Sequence, residues 1–179
     1  GNNALSASTA GNNNAAFGSG SLQNNSASNN VAVGYNSAWL NTTGNRITAI
    51  GYGAYDNADA EDDNLAIGHD ALGGPINGGE YNIAIGNSSL EANTSGDYNT
   101  GVGHDALKKN TTGTKNTSSG AKSLFNNTQG NYNTAMGQNA GDQITTGSNN
   151  VIIGHDADPN AGAATNQIVI GQGATGHGD

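Results

Sequence analysis

Read in steps of seventeen, the chain becomes a stack of near-identical lines. Each line ends on a glycine: Gly1, Gly18, Gly34, Gly51, Gly68, Gly86, Gly103, Gly120, Gly137, Gly154 and Gly171, spaced 17, 16, 17, 17, 18, 17, 17, 17, 17 and 17 residues apart. Positions below are counted from these anchor glycines. Position −1 is apolar in nine of ten lines, with Ile50, Ile67, Ile85, Ile153 and Ile170 typical. Position −2 is small in eight of ten, mostly Ala, as in Ala49, Ala66 and Ala84. Position −3 is Val, Ile, Leu or Thr in nine of ten, and position −4 is Asn in eight of ten, among them Asn64, Asn82, Asn99 and Asn133.

Alternation with period two predicts a short β-strand over −4 to −1. The isoleucines are candidate core residues. The opposite face, Asn then Ala, is unlike a solvent face: the small residues suggest close approach of another backbone, and the Asn column suggests a hydrogen-bonded ladder between copies. Which face lines the coil and which meets a neighbouring chain is open at this point. After the anchor, position +3 is Ala or Ser in all eleven lines and +4 is Leu in six, which predicts a second short strand or extended segment. A turn follows, as in Asn41 to Gly44 and Asn110 to Gly113, because Asn and Gly accept the left-handed conformation of tight turns.

A constant period of this kind is the mark of a solenoid, in which no coil buries its apolar face alone. The expected fold is therefore all-β: a parallel β-roll of about eleven coils over residues 1–179, a single repeat domain and a piece of a longer protein. At ~4.8 Å per coil the rod is about 50 Å long. One line departs: Thr117-Ser118-Ser119 stands where the pattern asks for Thr-Ala-Ile, so two polar residues are expected in core columns.

The columns Asn-Thr-Ala-Ile-Gly, then Ala-Leu at +3 and +4, then Asn-Thr-Thr-Gly, resemble the head of trimeric autotransporter adhesins. They resemble even more the repeat arrays of bacteriophage tail fibres and spikes, as does the closing stretch Asn149 to Asp179. The resemblance covers the whole chain and implies left-handed parallel β-rolls, three of them around a common axis. It implies a structural and adhesive segment that presents a surface to a bacterial glycan or protein receptor. The place would be a virion tail fibre or, alternatively, a bacterial cell surface.

Composition narrows the chemistry. Hydrophobic residues are 33%, below the usual ~45–50%, and disorder would follow were the columns not so regular. The net charge of −9, from 14 acids and 5 bases, suits nucleic acid poorly, and no apolar run approaches the ~20 residues of a membrane span. With no cysteine there is no disulfide or thiol chemistry. No cofactor and no catalytic constellation is expected: glycosidases need paired carboxylates at defined separation. The alternatives are a polysaccharide-depolymerising spike, which would draw on Asp70 or Asp105, and an ice-binding solenoid using Thr94, Thr111, Thr128 and Thr145.

Candidate receptor contacts are the aromatics Trp39, Tyr52, Tyr55, Tyr81 and Tyr98, whose flat apolar faces suit sugar rings. Tyr81, Tyr98 and Tyr132 share position −5, so the first two should stack. The pairs His69-Asp70, His104-Asp105 and His155-Asp156 fall at +1 and +2, where turn capping is the plain reading and a metal site the sharper one. The stretch Asp56, Asp59, Glu61, Asp62 and Asp63 is a solvated loop or, less simply, an ion loop. Lys108, Lys109, Lys115 and Lys122 form a stripe that would attract acidic glycans if it were one patch.

Overall fold

A computed structural model describes residues 1–8 and 11–177. Ten three-residue strands follow the predicted columns: β1 Ala15–Phe17, β2 Val31–Val33, β3 Thr48–Ile50, β4 Leu65–Ile67, β5 Ile83–Ile85, β6 Thr100–Val102, β7 Thr117–Ser119, β8 Thr134–Met136, β9 Val151–Ile153 and β10 Ile168–Ile170. They form one parallel sheet in sequence order. Each residue sits beside the same column of the next coil, as in Thr48↔Leu65, Ala49↔Ala66 and Ile50↔Ile67. Ten strands make nine steps, about nine turns where the glycines count eleven coils. The register survives both irregular spacings: Ala15 pairs with Val31 across the 16-residue coil and Leu65 with Ile83 across the 18-residue one. Length variation is thus absorbed in the turns.

The two faces of the strand resolve the open question. Position −2 lies inside the roll: Ala32, Ala49, Ala66 and Ala84 are fully buried. The larger −3 and −1 side chains point outward. Ile50 is 37% exposed and Ile170 65%, while Ile67, Ile85 and Ile153 are half-buried. The isoleucine column is therefore not the core of the single chain, and the small-residue face is not free to meet a neighbouring one. The reason is thickness. In the leucine-bearing coils the interior admits one layer of large side chains, supplied by Leu22, Leu72, Leu90, Leu107 and Leu124 at +4, and position −2 stays small; Ile152 and Val169 fill −2 only toward the end of the roll, where +4 is Gly141 and then Asp158.

Those leucines are not on a second strand, which corrects the expectation. Each lies in a turn with φ between 46° and 52°, the left-handed region that costs an ordinary L residue about a kcal/mol or more. Non-glycine residues at −5 share that conformation, from Asn13 to Asn166, as do most at +2. The chain bends at these points, and one coil fixes the bend of the next through the parallel ladder. The anchor glycine is a tight point of the coil. Gly68 has φ +137°, and a Cβ there would stand 2.6 Å from the carbonyl carbon of Gly86.

Two buried amide columns replace a thicker apolar core. At −4, each Asn Oδ1 accepts the backbone N–H of the next coil: Asn82 from Asn99 at 2.9 Å, Asn99 from Asn116 at 3.0 Å, and Asn116 from Asn133 at 3.0 Å. Each Nδ2 donates across the roll to a turn carbonyl, as Asn99 does to Gly113 at 2.8 Å. The expected ladder exists, but its main rung is amide to backbone. A second ladder at +7 runs amide to amide, from Asn127 Nδ2 to Asn110 Oδ1 at 2.8 Å and from Asn110 Nδ2 to Asn93 Oδ1 at 2.9 Å. It stops where the column holds Ala58 or Ile144, and there Asn41 and Asn127 each keep a buried Oδ1 without a partner. Ser118 of β7 is buried and donates to the Ser123 carbonyl at 2.9 Å. Ser119 lies on the outer face, so one polar residue, not two, enters the roll there.

Candidate interaction surfaces

The outward face of the sheet is a long apolar ribbon. Phe17, Val33, Ile50, Val102, Met136 and Ile170 at −1, with Val31, Ile83 and Ile168 at −3, are all exposed. At ~4.8 Å per step and ~3.3 Å per residue, the nine steps span about 43 Å and each strand about 10 Å. The footprint is roughly 430 Å², within the ~300–600 Å² of the largest apolar patch on a typical monomer, a size that is often functional. Only β7 interrupts it with two hydroxyls, Thr117 and Ser119.

The candidate receptor aromatics separate into three groups. Tyr55 occupies the +4 leucine column and is fully buried. Its hydroxyl donates to the Glu61 carbonyl at 2.9 Å and accepts from Asn64 Nδ2 at 3.2 Å. Burial pushes its pKa far up. Tyr55 is thus a core residue, not a contact. Tyr52 is exposed and sits in a +1 stack with Tyr35 and His69, with ring centroids 5.2 and 5.0 Å apart. Tyr81 and Tyr98 stack at 4.9 Å as expected. Trp39 is held on its coil by Nε1 donating to Gln23 Oε1 at 3.1 Å. Stacked rings cover each other's faces, so a sugar meets ring edges except at the ends of a stack. Tyr35 and His69 were legible as partners of Tyr52 because they share its column.

The acidic stretch does not converge. Arg46 Nε and Nη2 donate to Asp63 at 2.6 and 2.8 Å, and Nη2 also to Asp62 at 2.9 Å. The guanidinium holds Asp63 below the usual carboxylate range. Glu61 accepts from the backbone N–H groups of Asp59, Ala60 and Gly78, and Asp59 accepts from the Thr42 hydroxyl. Asp56 turns instead to a notch of about 410 Å³ that Gly73 and Gly74 leave open beside Asp70 and Glu91. Burial, with the Asp70 carboxylate adding, pushes Asp56 up to about 6. Among the described residues no three His, Asp or Glu side chains gather as a metal set.

Each histidine of the three His-Asp pairs lies against its own neighbour, Nδ1 to carboxylate oxygen at 3.0, 3.1 and 3.2 Å. Asp105 also pairs with Lys108 at 3.0 Å. The lysines sit in separate columns: Lys108 between Asp105 and Glu91, Lys109 over Phe125, and Lys115 over Tyr132. They are not one basic patch. The threonine hydroxyls of Thr94, Thr111, Thr128 and Thr145 each donate to the carbonyl of the following coil at 2.9 to 3.2 Å. In comparisons with known proteins no family model matches the chain, and no curated protein and no solved structure matches it either.

Proposed function

We propose that this chain is a structural and adhesive segment of a homotrimeric fibre, in a phage tail fibre or, alternatively, a bacterial surface adhesin. The observation that carries the reading is the apolar ribbon. A flat sheet face with exposed Ile, Val, Phe and Met along most of its length is an aggregation hazard unless another surface covers it. A closed ring of identical chains covers it on every copy. The ladders and the stacked anchor glycines support the mechanical half of the reading, since each coil is bonded to the next inside and outside the roll. For the adhesive half, Tyr52, Trp39, Tyr81 and Tyr98 stand outside the ribbon, and three copies of weak contacts would add through avidity. The occupied threonine hydroxyls favour this reading over an ice-binding one.

Light scattering after size exclusion tests it. The expected mass is three chains, and Ile50→Asp, which sets a charge in the ribbon without touching the roll, should lower it to one. A single-chain mass for the parent protein at micromolar concentration overturns the reading.

A further inference from the structure

A ribbon built from repeats has a problem of alignment. Its −1 and −3 columns are much alike from coil to coil, so two copies displaced by one coil, ~4.8 Å, still meet apolar against apolar. The loss is one row of contact in ten. β7 is where the ribbon ceases to be uniform. It alone places polar residues at both outward positions: Ser119 between Val102 and Met136 in the −1 column, and Thr117 between Thr100 and Thr134 in the −3 column. Among the described residues neither hydroxyl has a partner within its own chain. Ser118, between them, points inward and bonds Ser123.

We propose that β7 is a register pin: a polar row that aligns copies of this chain coil against coil. It rests on the proposed homotrimer. In register, the hydroxyls of the copies face one another and can bond across the interface. One coil out of register, Ser119 meets Val102 or Met136 and is desolvated without a partner, whereas Thr117 meets Thr100 or Thr134. Buried hydroxyls without partners are expensive relative to the small loss of apolar overlap. The same logic lets one buried Asn set the alignment of a coiled coil at some expense of stability. The pin predicts two opposite effects of making β7 apolar: tighter assembly and looser alignment.

The chain has no cysteine, so engineered thiols report alignment directly. Two differently tagged chains, one carrying Ile85→Cys and one Val102→Cys, are co-expressed and oxidised under mild conditions. With β7 intact, same-site disulfides form and the mixed 85–102 product stays at background, because a one-coil offset carries the thiols beyond bonding geometry. Adding Thr117→Val with Ser119→Ile should raise the melting temperature of the assembly and bring the mixed product up to the level of the same-site ones. A mixed product that stays at background in that variant, with same-site disulfides intact, overturns the pin while leaving the ribbon interface standing. A monomeric parent with no disulfide at either site overturns the homotrimer itself, and the pin with it.

Discussion

The sharpest test of the interior is Asn99. Its Nδ2 donates to the Gly113 carbonyl at 2.8 Å, and its Oδ1 accepts the Asn116 N–H at 3.0 Å and Asn116 Nδ2 at 3.1 Å. Gly113 keeps a second donor in Asn110 Nδ2, and Asn116 Nδ2 keeps the Gly130 carbonyl, so those losses are soft. The Asn116 backbone N–H keeps nothing. Truncation in Asn99→Ala thus removes three bonds worth about 1 kcal/mol each at most and strands one buried donor at about 1–3 kcal/mol. The expected destabilisation is about 3 kcal/mol or more. The discriminating variant is Asn99→Leu, which restores the volume but not the acceptor. If the column were only filler, a swap of similar volume would cost under about 1.5 kcal/mol. If the bonds matter, it should also lose about 3 kcal/mol. Urea unfolding followed by far-ultraviolet circular dichroism measures the total. Hydrogen exchange at the Asn116 amide, expected to quicken roughly a hundredfold at about 1.4 kcal/mol per decade, locates it. An Asn99→Leu protein within about 1 kcal/mol of the parent would refute the reasoning.

Three further outcomes follow from the same geometry. Ala66→Leu pushes a side chain against the leucine layer and should destabilise by about 1–3 kcal/mol through overpacking; an unchanged urea midpoint would show that the interior has space to spare. Gly68→Ala combines a φ of +137° with a Cβ 2.6 Å from the Gly86 carbonyl carbon and should lose more than about 2 kcal/mol, read as a fall in melting temperature. Burial holds the Asp158 carboxyl up at about 6, so the native chain binds that proton more tightly than the unfolded one. Its favourable contribution is complete below the ordinary Asp value near ~4 and is lost as pH rises through about 6. Asp56 and Asp142 are raised with the same sign. The melting temperature should therefore fall between pH 4.5 and 7, and Asp158→Asn should flatten part of that slope; an identical slope in the variant would count against the assignment.

Period, strand position, parallel order and the −4 amide column were legible because each depends only on which residue type recurs; the +7 asparagines read only as turn residues, and their ladder did not show. The side on which the strand faces was not. Hydrophobicity places Ile50 or Ile170 inside, yet this roll is too thin for large residues from both walls, and the contest is won by Leu107 and its equivalents from the turn. The +4 leucines misled for a related reason. A β-like apolar alternation and a left-handed turn with an inward leucine read alike, because leucine has no preference that marks φ near 50°. The residue two positions earlier carries part of the signal: Gly20, Asp70 and Asp105 are types that accept that conformation, whereas Ser88 and Lys122 adopt it without marking it. Tyr55 was misplaced because its exposure was judged from its neighbours Tyr52 and Trp39 along the chain. Its column, leucine in six coils of eleven, points into the roll.

The absorption of the 16- and 18-residue spacings into turns, with the strand register intact, has a consequence for how such a protein can change over generations. Removing or duplicating one whole coil leaves every remaining contact with an equivalent partner, since coils touch only their neighbours. Recombination between near-identical repeats in the gene can do this in a single event. Rod length then varies in increments of ~4.8 Å without any new folding problem to solve. Reach toward a distant surface becomes a trait that selection can adjust by counting.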